Sequence, residues 1–152
     1  MKSYKMLAGA LLFATANTAG AQGLDQTATG ERPYFSSAAS YMNIDLKKAK
    51  RNTIASLNHE NDGVVESALA HATHMRLMMP QEDFKDSEMA LGLLAGNGRT
   101  PGIRYKAYVA SLVFASPEMF AREINSEYAH DDQFFGAIAS RLQQTLLGHS
   151  TR

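Results

Sequence analysis

From Asn43 onward, apolar residues recur at spacings of three and four, the period of helices that bury one face. The pattern predicts a first helix over about 44–57, with Leu46, Ala49, Thr53 and Leu57 on one side. In the polar turn at 58–62, Asn61 or Asp62 can accept from free backbone N–H groups and cap the next helix. Val65, Ala68, Leu69, Ala72, Met75 and Met79 continue the period until Pro80, which cannot donate to a helical ladder. A third helix is expected over 83–95, with Phe84, Leu91 and Leu94 inward and Glu82, Asp83 and Asp86 near its positive end. Gly96-Asn97-Gly98 then suggests a left-handed C-terminal cap.

Thr100-Pro101 and Ser116-Pro117 each combine a capping hydroxyl with a proline at the first helical position. The first opens a helix over 101–115 that is apolar around most of its girth through Ile103, Ala107, Tyr108, Ala110, Leu112 and Phe114. It should be the most buried element. The second opens a fifth helix carrying Phe120, Ile124 and Tyr128. After a break at His130-Asp131-Asp132, a sixth helix should run to about Leu147, with Phe135, Ile138, Leu142 and Leu146 inward. Six helices joined by short turns imply an all-α fold of antiparallel hairpins.

A chain of 152 residues is long enough to bury one real core. It contains no cysteine, so a disulfide scaffold, a thiol nucleophile and a cysteine-based zinc site are excluded, and packing alone must stabilise it. Formal charge is balanced, and the longest basic run is Lys47-Lys48-Ala49-Lys50-Arg51, which reads as the solvated face of the first helix. A nucleic-acid binder would carry a wider basic stripe. Lys2 and Lys5, the apolar run from Met6 to Ala16 and the small residues Ala19-Gly20-Ala21 read as a secretory signal, residues 1–21, cleaved near Ala21. The apolar run is too short for a permanent membrane anchor. Residues 22–42, rich in Gly, Thr, Ser and Ala, read as a flexible leader, although Pro33-Tyr34-Phe35 could pack locally, and 43–148 as the helical domain. A periplasmic or secreted product is therefore expected.

The segment from Leu57 to Ala68 parallels the segment from Leu94 to Ala107: a helix end with Leu, a polar turn, a cap, a branched apolar residue, a charge, then Ala. Ala68 and Ala107 are 39 residues apart, close to the roughly 40 of helical-hairpin repeats. Ile103-Arg104-Tyr105-Lys106-Ala107 resembles the opening of the second helix in the HEAT-repeat superfamily. Val65-Glu66-Ser67-Ala68 fits less closely, with Glu66 where the family carries Arg, and a third copy near Phe135 to Ala139 has Gly136 there. The resemblance implies three antiparallel hairpins stacked as a short right-handed solenoid, with a six-helix bundle as the alternative. It also implies a non-catalytic scaffold whose partner is another protein or a second copy of the chain.

Residues that could form the binding surface are Arg104, Tyr105 and Tyr108, because Arg and Tyr favour interface centres. Glu66 is a candidate partner for Arg104 from one hairpin earlier. The alternative chemistry is a metal, copper above all: His71, His74, Met75 and Met78 share one helix face and present a soft donor set. Against it, Met fills gaps in apolar cores, and neither a carboxylate nor a third His stands at a ligand spacing. Glu82, Asp83, Asp86 and Glu88 lack the alternating ligands of a calcium loop. His59-Glu60 lacks the second histidine of a zinc protease, and no Gly-x-Ser-x-Gly elbow or phosphate-cradling Gly loop occurs. The expectation is binding without a cofactor, rather than catalysis.

Overall fold

Four of the helices start where a side chain or a proline dictates. The structure, a computed structural model, describes residues 34–35 and 44–149. The expected signal at 1–21 and most of the leader lie outside the described residues. In chain order the elements are α1 (Leu46–Leu57), α2 (Asp62–Met78), α3 (Lys85–Asn97), α4 (Pro101–Ala115), a 3-10 segment (Pro117–Asn125) and α5 (Asp131–His149). Among the described residues there is no strand, and no helix is long and apolar enough to cross a membrane. The carboxylate of Asp45 caps α1 by accepting from Lys48 N–H at 2.9 Å. Asn61 caps α2 through Val64 N–H and Thr100 caps α4 through Ile103 N–H, at 3.2 and 3.1 Å. Asn61 and Thr100 stand at the same 39-residue offset as Ala68 and Ala107.

The short turns make α1–α2 and α3–α4 hairpins, and the two hairpins lie side by side, α1 on α3 and α2 on α4. The 3-10 segment and α5 both pack against α2 as well as α4, so the third unit folds back across the first hairpin. That places α2 at the centre, buried along Val65, Ala68–Ala70, Ala72–Met75 and Leu77, on nearly every side. Ala68 and Ala72 on α2 and Ala107 and Ala110 on α4 are all buried, and their small side chains permit the close approach of the two helices. Arg76 pins the far end: its guanidinium donates to the carbonyls of Pro80, Glu82 and Phe114, joining α2 to the next loop and to the end of α4.

Four expectations are corrected. Helix α4 is rotated from its expected phase: Ile103, Lys106, Ala107, Ala110, Val113 and Phe114 form the buried stripe, while Tyr108 faces solvent and Leu112 is half-buried. Nor is α4 buried more completely than α2, whose small residues meet neighbours all round. The segment after Ser116-Pro117 is a 3-10 helix rather than an α-helix. Its three-residue repeat puts Pro117, Phe120 and Glu123 on one edge, sinks Phe120 into the core and sets Glu123 to accept from the Tyr128 hydroxyl at 2.6 Å. Tyr128 itself lies beyond the helix. Gly98 ends α3 with φ −56°, so the cap is not left-handed. The packing allowed for Tyr34 and Phe35 in the leader is observed: Phe35 is buried in the core and the Tyr34 N–H donates to the Tyr128 carbonyl at 2.8 Å.

Gly98 is required for space rather than for backbone freedom. A Cβ there would lie 2.6 Å from the Leu94 carbonyl oxygen and 2.7 Å from Ile103 Cγ2. Gly98→Ala should therefore destabilise the fold by about 1–3 kcal/mol in urea denaturation. Gly92→Ala, where a Cβ meets nothing within 4 Å, should stabilise by about 0.5–1 kcal/mol through helix propensity. Equal effects of the two changes would refute this account of the turn.

Candidate functional site

The phase of α3 is set by Phe84, Ser87 and Leu91, which are buried. Met89, Gly92, Leu93 and Gly96 fall on the opposite side at spacings of three and four. Met89 and Leu93 are 65% and 62% exposed, and neither glycine would bring a Cβ within 4 Å of anything. A smooth apolar strip therefore faces outward along α3. On α4, the same logic turns Tyr105 and Tyr108 away from the buried stripe, at 51% and 57% exposure. The α3–α4 hairpin thus carries two outward apolar strips, one on each helix. Tyr105 and Tyr108 were legible in the sequence as surface candidates. Met89 and Leu93 were not singled out, although the spacing of Phe84 and Leu91 already consigns them to the other side.

Arg104 and Glu66 are not a pair. Arg104 is half-buried and its Nη1 donates to the Gly98 carbonyl at 2.7 Å, bracing the turn before α4. The residue that reaches Glu66 is Lys106, two positions on and on the opposite side of the helix. Its ammonium lies 2.8 Å from Glu66 Oε2, 2.7 Å from Asp131 Oδ2 and 2.8 Å from Asp132 Oδ1. Burial alone would depress the Lys106 pKa, but the three carboxylates outweigh it and hold the amine well above its ordinary value. Bonded to Lys106, the Asp132 carboxyl is held below its ordinary range. Asp131 and Asp132 also occupy the first turn of α5, where the helix dipole favours negative charge.

Metal-ligating chemistry is distributed differently from the sequence expectation. On α2, His74 and Met75 are buried, and His71 and Met78 are half-buried. The His74 ring lies face to face with Phe35, centroids 4.1 Å apart, and His71 stacks on Tyr34 at 5.4 Å. Burial keeps both imidazoles neutral: it lowers the His71 pKa, and with help from neighbouring His71 it lowers that of His74 to about 4. The geometry gives both rings a packing role, holding Tyr34 and Phe35 on α2. The described residues do bring His130, Asp131 and Asp132 within ligand distance of one another. There the Lys106 ammonium already supplies the positive charge.

Two consequences can be measured. Because His74 is held below its ordinary 6.5, the unfolded chain binds the extra proton more readily in the window down to about 4. Stability from this residue is complete above that window and is lost as pH falls through it. The melting temperature should therefore drop more steeply across it for the wild type than for His74→Phe; parallel slopes would contradict the assignment. Lys106→Met should destabilise by about 3 kcal/mol, because it leaves carboxylates uncompensated at a helix junction. Adding Glu66→Gln and Asp131→Asn should recover much of that loss in urea denaturation. Comparison of the chain with protein-family models, with curated proteins and with solved structures gave no match, so its function is argued from these residues.

Proposed function

We propose that the protein is a non-catalytic binding module that engages another protein through the outward faces of the α3–α4 hairpin, in the periplasm or outside the cell. One observation carries this reading: Met89, Leu93, Tyr105 and Tyr108 are each more than half exposed although the chain buries a full core elsewhere. Large apolar side chains grouped on one hairpin, rather than scattered singly, characterise surfaces that exchange water for a partner. Aromatic residues and Met are also the types enriched at such surfaces. The HEAT-like reading is supported by the shared offset of Asn61 and Thr100 and by the side-by-side hairpins. The extracytoplasmic location rests on Lys2, Lys5 and the apolar run that follows them.

The strips can be tested separately, since all four side chains are exposed and their replacement spares the core. Met89→Glu with Leu93→Glu charges the α3 strip, and Tyr105→Glu with Tyr108→Glu charges the α4 strip. Affinity capture from the native envelope fraction, paired with sedimentation velocity of the purified chain, reads both a foreign partner and a second copy. One double variant should lose a stoichiometric partner, or a self-association, that the other retains. A wild type that stays monomeric and captures only what both variants capture would defeat the proposal.

A further inference from the structure

A second surface lies apart from the apolar strips, between α1 and the start of α3. It is a groove of about 590 Å3 lined by Lys47, Lys50, Arg51 and Ile54 from α1, and by Asp83, Phe84, Lys85, Asp86 and Ser87. That volume lies within the ordinary range of small-ligand sites. Lys47, Lys50, Arg51 and Ile54 share one face of α1 through their spacing of three and four, so the basic run projects into the groove as well as into solvent. Lys50 is fixed: its ammonium donates to the Asp83 carbonyl at 2.7 Å, pairs with Glu82 at 3.3 Å and sits 4.6 Å from the centre of the Phe84 ring. Lys47, Arg51 and Lys85 have no carboxylate partner among the described residues.

The groove ends on the first turn of α3, where backbone N–H groups point outward without intrahelical acceptors. Phe84 offers no side-chain cap; Asp83 Oδ1 takes the Lys85 N–H at 3.0 Å, and the Glu88 N–H returns to the Phe84 carbonyl. Asp86 and Ser87 are left with uncapped N–H groups. The Ser87 side chain is the second, independent sign of a ligand. It is 3% exposed, lines the groove, and its hydroxyl makes no hydrogen bond to another described residue. The hydroxyl oxygen is not sealed off from solvent, so the bond that the protein leaves unmade is open to a polar ligand in the groove. Asp83 and Asp86 oppose an anion here, but Asp83 is engaged with Lys85 N–H, and with Lys50 paired to Glu82 three cations still line the groove against these two carboxylates.

We infer that this groove binds a small phosphate monoester carrying an apolar group. The phosphate takes the Ser87 hydroxyl, the free N–H groups of α3 and the Lys47, Arg51 and Lys85 side chains, and the apolar group lies along Ile54 and the edge of Phe84. A dianionic head suits so many converging donors better than a neutral polar group would. The chemistry could be met by a soluble ester or by a lipid headgroup.

Hexyl phosphate, inorganic phosphate and hexanol are the probes, titrated into the full chain with calorimetry and amide chemical shifts as readouts. Hexyl phosphate should bind about tenfold more tightly than inorganic phosphate, with hexanol silent and the shifts centred on residues 47–54 and 83–88. Lys47→Gln with Arg51→Gln, both exposed, should weaken binding about tenfold, and Ser87→Ala several-fold with the fold intact. Vesicles containing phosphatidic acid separate the sources: co-sedimentation that the Lys47→Gln, Arg51→Gln variant abolishes assigns a lipid headgroup, and its absence assigns a soluble ester. No saturable binding at millimolar hexyl phosphate would overturn the inference. So would equal affinity for inorganic phosphate, or binding indifferent to the substitutions.

Discussion

The Lys106 ammonium sits where α2, α4 and α5 meet, and its three carboxylate partners come from two of those helices. An amine at a helix junction loses its hydration, and that loss is offset only if acceptors converge on it with good geometry. Glu66 supplies one from α2; Asp131 and Asp132 supply the others from the first turn of α5, where the helix dipole already favours their charge. The requirement works in both directions. Lys106 cannot be buried until α5 docks, and the acidic start of α5 cannot approach α2 and Glu66 without a cation between them. A repulsive junction becomes a fixed register for the third unit.

A different set of contacts covers the neighbouring face of α2. Tyr34 and Phe35 lie against His71 and His74, and Phe35 also meets Tyr128 and Phe134 edge to face. The Tyr34 backbone bonds to Tyr128, and its hydroxyl donates to Ser67. Residues before the first helix and residues after the 3-10 segment therefore share one aromatic cluster over the central helix. Histidine suits that cluster because it is flat enough to stack and neutral when buried. Two of the donors that suggested a metal on paper, His71 and His74, carry these ring contacts in this fold.

Local signals were legible in the sequence, and signals that depend on distant residues were not. The start of α4 followed from Thr100 and Pro101, because a cap and a proline act within one turn. The identical signal at Ser116-Pro117 marks where a helix starts but not which helix, and there the three-residue repeat prevails. The rotation of α4 was illegible because nearly every position is apolar. Its phase is chosen by which side offers small residues to α2 and a lysine to Glu66. Arg104 and Lys106 look alike as isolated charges on an apolar helix, and only partners 40 and 25 residues away separate the buried one from the half-buried one. The surface was half legible: Tyr105 and Tyr108 stood out by type, whereas Met89 and Leu93 carry no such signal and are placed outside only by the buried side of α3.

The same rotation links the interior to the surface. On a helix where apolar residues surround the axis, some must face water, and the choice falls to whatever fixes the phase. Ala107 and Ala110 against α2, and Lys106 among its carboxylates, fix it for α4. Tyr105 and Tyr108 are then held outward by the most constrained contacts in the fold. Rotating α4 to hide the tyrosines would drag a charged amine away from three acceptors and push larger side chains into the alanine contact. Their exposure is therefore rigid: a partner meets two aromatic rings on a helix that cannot turn away, and the ordering cost of binding is confined to the side chains themselves.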